Sequence, residues 1–182
     1  MKPEAIGADS AITAWTIDPQ YATVEFSVKM LFFTVRGGFN DFGGKIMLGE
    51  DDIRRSSVEA AIRAASVHTG VKKRDEHLRS KDFLNAASNP EISFQSATVG
   101  KGRDRDMLRV TGTLTIKGQS REIALDVTVT DRSRSPQGDE ILYCAAVAEI
   151  DRLAFKVDYA PWLIGRTVKV LIQAQATKQR SS

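Results

Sequence analysis

Apolar and polar residues alternate with a period of two through most of this 182-residue chain. That period belongs to strands with one buried face and not to helices. Between Ala22 and Met30 the apolar set is Val24, Phe26, Val28 and Met30, interleaved with Thr23, Glu25, Ser27 and Lys29. Leu108, Val110, Leu114 and Ile116 repeat the pattern, and Lys117-Gly118-Gln119 reverses the chain into Ile123, Leu125, Val127 and Val129, a hairpin signature. Ile92 to Ser96, Ile141 to Ile150 and Val168 to Ala176 are further alternating runs, and Trp15 to Asp18 is a short first strand. Residues 41–48 read as a strand bent at Gly43 and Gly44. Val58 to Val67 alternates although its alanines would suit a helix, and the alternation assigns it as strand. Lys72 to Leu84 does not alternate and reads as a short surface helix; 51–56 and 131–139 read as polar loops.

Eight or nine strands separated by hairpin signals leave a sandwich or a closed barrel, and closure is the solution that removes exposed edges. The expected fold is therefore all-β, an eight-stranded antiparallel barrel with one or two short helices. Runs of about ten residues at roughly 3.3 Å each would make it about 33 Å deep. Eight strands is the size at which the interior is just filled or holds one small ligand, so the volume of the inward residues decides. The inward set Leu142, Cys144, Ala146, Ala148 and Ile150 is mostly small, Ala174 and Ala176 end the last strand, and Ala60 and Ala64 stand beside Val58 and Ile62. These leave space that Phe26, Phe94 and Leu125 need not fill. The competing reading has helices or loops plug that space, or the small residues relieve packing at barrel corners.

The remaining composition excludes several classes. A single cysteine, Cys144, removes any disulfide framework within the chain, and a net charge of +3 is too mild for a dedicated nucleic-acid binder. No apolar run approaches the roughly 20 residues that cross a bilayer. The first nine residues lack the apolar stretch of a signal peptide, which gives cytoplasm as the expected compartment.

An ordered series of short motifs then resembles the YceI-like family of polyisoprenoid-binding proteins. It starts at Trp15-Thr16-Ile17-Asp18-Pro19, passes through Val24 to Lys29 and Gly38-Phe39, and resumes at Ser66-Val67-His68-Thr69-Gly70 and Arg74-Asp75-Glu76-His77-Leu78. Asp82-Phe83, Pro90 to Phe94, Gly112 to Gly118 and Ile150-Asp151-Arg152 complete it. The resemblance covers residues 14 to 176 and frames residues 1–12 as a flexible N-terminal segment before a barrel over 13–178. It implies a lipocalin-like barrel whose apolar lumen carries a polyisoprenoid, such as a quinone tail or a polyprenyl phosphate, for transport or storage. The lining it implies is Phe26, Val28, Met30, Phe94, Leu114, Leu125, Ala146, Val170 and Ile172, to which the inward faces add Ile62 and Leu142. Tyr21, Arg74 and His77 are the candidate head-group contacts. The partners it implies are an isoprenoid lipid and a second copy in a homodimer; members are often periplasmic, the alternative compartment. Lys72-Lys73-Arg74 and Arg103 to Arg109 read as solvated faces and turns that would also steer the chain to transient contact with an anionic membrane surface. Three departures stand out. The chain has Gln20-Tyr21 and Met30-Leu31 where the family has histidines, and Lys156 where it commonly has glycine.

No cofactor, catalytic residue or metal site is expected. His68 and His77 are the only histidines and lack metal-ligand spacing. Within Arg74 to Leu78 the expected structural role is a charged cap in which Asp75 pairs with a neighbouring base. Arg152 is expected to form a structural ion pair, and Cys144 to be a small buried hydrophobe. The rivals to a lipid carrier are an enzyme modifying an isoprenoid or quinone through Tyr21, Asp75 or His77, and a filled-core interaction module.

Overall fold

The computed structural model describes residues 11–180. Eleven antiparallel strands form one sheet: β1 (Ile12–Ile17), β2 (Thr23–Met30), β3 (Phe33–Phe39), β4 (Phe42–Gly49), β5 (Ser57–Arg63), β6 (Val67–His68), β7 (Glu91–Lys101), β8 (Met107–Ile116), β9 (Gln119–Arg134), β10 (Glu140–Asp151) and β11 (Ile164–Lys178). Eight of them close a ring in the order β1-β4-β5-β7-β8-β9-β10-β11, because Trp15, Thr16 and Ile17 pair with Lys178, Thr177 and Ala176. This is the expected eight-stranded barrel.

The strands outside the ring come from the length of β11. One of its edges pairs with β10 throughout; the other pairs with β2 from Ile164 to Gln173 and with β1 from Ala176 onward. β1 and β2 thus form one interrupted edge, broken by the 3-10 turn Pro19–Tyr21. Asp18 caps that turn by accepting from the Gln20 amide at 2.9 Å, and Pro19 supplies the fixed φ of a first helical position. β3 and β6 extend the sheet from β2. Glycines let the inner rings sit against the wall: a Cβ at Gly112 would lie 2.7 Å from Cζ of Phe94, and one at Gly37 2.7 Å from Cζ of Phe26.

Several expectations change. β3 is an additional strand, hidden by the unbroken apolar run Met30 to Phe33. The 131–139 loop shrinks, since β9 continues through Arg134 opposite Glu140 to Tyr143. The strand expected over 58–67 ends at Arg63, and a 3-10 turn at Ala64–Ser66 leads into β6. Helix α1 (Lys72–Arg79) is shorter than expected, ending where the Ser80 hydroxyl and amide both donate to His77 O. Of the flexible segment expected over 1–12, residues 1–10 lie outside the described residues, and Ile12 pairs with Gly49.

The two ends of the barrel are closed differently. At the end where β10 begins, Trp15 is fully buried among Ile46, Leu48, Leu142 and Ala176. Its Nε1 donates to the Thr13 hydroxyl at 2.9 Å, and the Arg132 and Lys178 cations stand 5.4 and 5.9 Å from the ring centroid. At the other end, Phe155 from the 3-10 turn Arg152–Phe155 packs with Val157 and with Leu78, Phe83 and Leu84 from α1 and the segment after it.

Candidate functional site

The inward side chains leave a cavity of about 320 Å³. That lies at the lower end of small-molecule sites, which run from about 300 to 1,000 Å³. Phe26, Val28, Ile62, Phe94, Leu114, Leu125, Leu142, Ala146, Val170 and Ile172 line it, so these lumen residues assigned from sequence converge here from seven strands. Register explains the convergence: Phe26 faces Val170 across β2 and β11, Ala146 faces Ile172 across β10 and β11, and Phe94 faces Leu114 across β7 and β8. Met30 is not part of the lining; it ends β2, paired with Phe33 and Ile164. Ala60, Cys144, Ala148 and Ala174 supply the small wall positions, whereas Ala176 is spent against Trp15 and Ala64 lies in the cap.

Phe39, Phe42 and Phe155 also line the cavity and were not assigned from sequence. The Phe39 and Phe26 rings meet at 5.8 Å. Phe39 had a signal in the Gly38-Phe39 motif; Phe155 had none, because it sits in a 3-10 turn where no strand period applies.

Arg152 is the main polar feature of the wall. It is buried, and its guanidinium donates to four backbone carbonyls: Nε to Gly165 at 2.9 Å, Nη2 to Ile164 at 2.8 Å, and Nη1 to Tyr159 at 3.1 Å and to Val157. The expected ion pair is replaced by carbonyl dipoles. Burial pushes its pKa down, and the fields of Asp158 and Asp151 oppose that shift. Asp151 turns instead to Arg166, 2.6 Å away, whose hydrogen bond pulls the Asp151 carboxyl below the usual carboxylate range. Lys156, at the family's glycine position, caps the turn with a left-handed backbone, φ 55°. Burial raises the pKa of the Cys144 thiol, which keeps that part of the wall neutral.

The three candidate head-group residues stand outside the cavity lining. Tyr21 is exposed on the turn between β1 and β2. Arg74 and His77 are on α1, where His77 Nε2 lies 2.8 Å from Asp82 Oδ2 and its ring meets Phe83 and Tyr159 edge-on. Asp75 is buried and accepts from the Thr69 hydroxyl, to which Arg74 Nε donates at 2.8 Å, so Asp75 meets its base through Thr69.

A wider open groove of about 1290 Å³ borders the cavity, and the two share eight residues, among them Glu25, Phe26, Phe39, Phe42 and Val170. The groove also carries Arg36, His68, Thr69, Arg109 and Lys169. Arg74 therefore supports a groove residue, Thr69, without lining the groove itself. Among the described residues, no group of three or more His, Cys, Asp and Glu side chains could hold a metal ion, and no helix is long and apolar enough to cross a membrane.

Comparison with known proteins agrees with this geometry. Residues 15–176 match the family model for the YceI-like domain. The chain is 32% identical over 179 residues to Protein YceI of Escherichia coli O157:H7, covering 95% of this chain and 92% of that protein. The crystal structure of Burkholderia cenocepacia BcnA shares the fold, with a TM-score of 0.80 at 24% identity over 88% of this chain and 99% of that one. So does a polyisoprenoid binding domain from Saccharophagus degradans implicated in plant cell wall breakdown, with a TM-score of 0.64 at 13% identity over 91% and 98% of the two chains.

Proposed function

The chain belongs to the YceI-like family, and from that premise we propose that it is a non-enzymatic carrier or store for a long isoprenoid lipid, whose tail occupies the barrel cavity. The observation that carries the reading is a cavity whose wall is apolar apart from Glu25, Ser56 and Arg152 and whose volume is left by alanines on β5, β10 and β11. The driving force is transfer of apolar surface from water at about 25 cal/mol per Å². A polyisoprenoid tail longer than the present volume requires the half-buried Phe26, Phe39 and Phe42 to move apart, and these rings stand where cavity and groove meet. The head group then lies in the groove near Arg36 and His68, within reach of water, as a polar group must when its tail is buried. Tyr21, Arg74 and His77 act on it at most from outside this wall, Arg74 through Thr69.

The enzyme reading has less support, since the His77–Asp82 pair is half-exposed and outside the cavity lining, and the cavity wall itself pairs no acid with a base. The 320 Å³ of free space speaks against a filled-core module.

Lipid extracted from protein purified out of its native host should contain an isoprenoid by mass spectrometry. Empty protein, or protein loaded only with straight-chain fatty acids, would overturn the assignment. Ala146→Phe places a ring in the lumen. If it excludes a single five-carbon isoprene unit, at about 0.8 kcal/mol per carbon the affinity falls several-hundred-fold. Unchanged uptake of a fluorescent isoprenoid analogue would refute the placement of the tail.

A further inference from the structure

The turn joining β2 to β3 consists of Leu31 and Phe32. Two-residue hairpin turns favour Asn-Gly or Asp-Gly, because the left-handed backbone they need is readily adopted there. Here Leu31 adopts it, with φ 48°. The side chains presented are the opposite of what solvent favours: Leu31 is 62% exposed, Phe32 99% and Phe33 55%. Beside them Trp162, 82% exposed, stands in the segment leading into β11. The two segments are tied together. The Leu31 amide donates to Leu163 O at 3.2 Å, and Met30 pairs with both Phe33 and Ile164. Neither backbone preference nor packing explains four large apolar side chains at one tip, and an outlier of this kind points to a role outside folding.

The charges around the tip indicate what meets it. Lys29 and Lys156 are exposed on the flanking segments, and Arg166, also exposed, is paired with Asp151 at 2.6 Å. Over 156–166 the one acidic residue is Asp158.

We propose that this tip docks the protein on a lipid bilayer, with Phe32 and Trp162 entering the boundary between head groups and acyl chains and Lys29 and Lys156 facing anionic head groups. Tryptophan and phenylalanine favour that boundary, and basic residues beside it are drawn to anionic lipid. A second copy of the chain fits the tip less well, since a stable dimer needs about 800 Å² and roughly 20–30 residues from each partner. A hairpin end offers a handful of side chains. The tip adjoins the end of the barrel held by Arg152, which binds the carbonyls of Tyr159, Ile164 and Gly165. Docking would therefore present that end of the cavity to the bilayer. The proposal goes beyond isoprenoid binding and stands whether or not the cavity holds a lipid.

The test uses the whole protein with vesicles of phosphatidylcholine alone and of phosphatidylcholine with phosphatidylglycerol. Trp15 is fully buried, so a change in tryptophan emission reports on Trp162. Mixed vesicles should shift the emission to the blue, acyl-brominated lipid should quench it, and the protein should sediment with the vesicles. The double variant Leu31→Asn, Phe32→Gly installs a favoured hairpin turn. It should melt at or above the temperature of the parent protein while losing tenfold or more in vesicle affinity. Retained affinity in that variant, or no binding to either vesicle, overturns the proposal. So does a blue shift that grows with protein concentration in the absence of vesicles, which would assign the tip to a second copy.

Discussion

Replacing Arg152 by methionine tests whether the capped end of the barrel is held by that one guanidinium. The side chain is 5% exposed and donates four hydrogen bonds to the carbonyls of Val157, Tyr159, Ile164 and Gly165. Those bonds join the 3-10 turn, the segment after it and the start of β11, which no strand pairing connects. Orphaning the buried Val157 carbonyl costs about 1–3 kcal/mol, and each of the three half-buried carbonyls about 0.5–1.5 kcal/mol because water can partly replace the donor. Against this, removing a charge from a buried site returns part of its desolvation penalty, which amounts to several kcal/mol for a fully enclosed ion. Lost hydrogen bonds exceed recovered solvation because methionine fills the space but donates nothing, leaving a net loss of about 2–4 kcal/mol. At about 2–4 °C per kcal/mol for a chain of this size, the melting temperature should fall by roughly 5–15 °C. Denaturant unfolding should show the midpoint moving with an unchanged slope. Arg152→Lys should recover less than half of the loss, since one ammonium cannot span four carbonyls in the plane of a guanidinium fork. A methionine variant within about 0.5 kcal/mol of the parent would refute the reasoning.

Two further outcomes follow from the opposite end and from the surface. Trp15→Ala empties a fully buried site and should cost about 3–5 kcal/mol in denaturant unfolding; a loss below about 1 kcal/mol would mean that Arg132 and Lys178 collapse into the space. The Arg54 side chain and amide donate to Asp52 and hold its pKa at about 2, below its ordinary 3.8. A carboxyl whose folded pKa is depressed adds stability above its unfolded pKa, so this contribution is complete above about pH 4 and disappears as pH falls through 2. Carboxyl-carbon NMR should find Asp52 titrating near 2 and Arg54→Ala moving it upward; an unmoved titration would show that Arg54 does not hold it.

The lumen was legible because a period of two assigns every other residue of a strand once one parity is known. The reading failed where the register slips. At the bulge between Tyr143 and Cys144, Val129 pairs with Cys144 but Asp131 with Tyr143, so one extra residue reverses the parity of β9. Beyond it Arg132, paired with Leu142, turns toward Trp15 and covers the ring with its cation. A strand whose inward residue is arginine looks like a loop in sequence. Met30 misses the cavity as the last residue of β2, past the irregularity that separates its pairing with Ile164 from that of Val28 with Val168. Arg152 had a motif but no readable partner, since the carbonyls it binds belong to every residue and leave no mark in the chain. The helix gave the least: no period relates α1 to the lumen, and the positions of Arg74 and His77 depend on how the segments on either side fold back.

The local rules this sequence breaks are gathered at one end of the barrel. Among the described residues, five non-glycine residues have a left-handed backbone: Leu31, Asn85, Lys117, Lys156 and Ala160. Lys156 and Ala160 flank Val157 and Tyr159, two of the residues that Arg152 holds, and Lys117 reaches the same place by donating from Nζ to Lys156 O at 2.8 Å. Leu31 is bonded to Leu163, whose own amide donates to Ala160 O at 3.0 Å. Asn85 lies between Leu84 and Ala86, which pack with Phe155 in the cap. The Trp15 end holds none of them and is closed by packing and strand pairing alone. Selection for stability would spread such positions or replace them with glycine, as Gly118 and Gly138 do in their turns. Their concentration around a buried cation and an exposed aromatic tip is consistent with the docking proposed for this end.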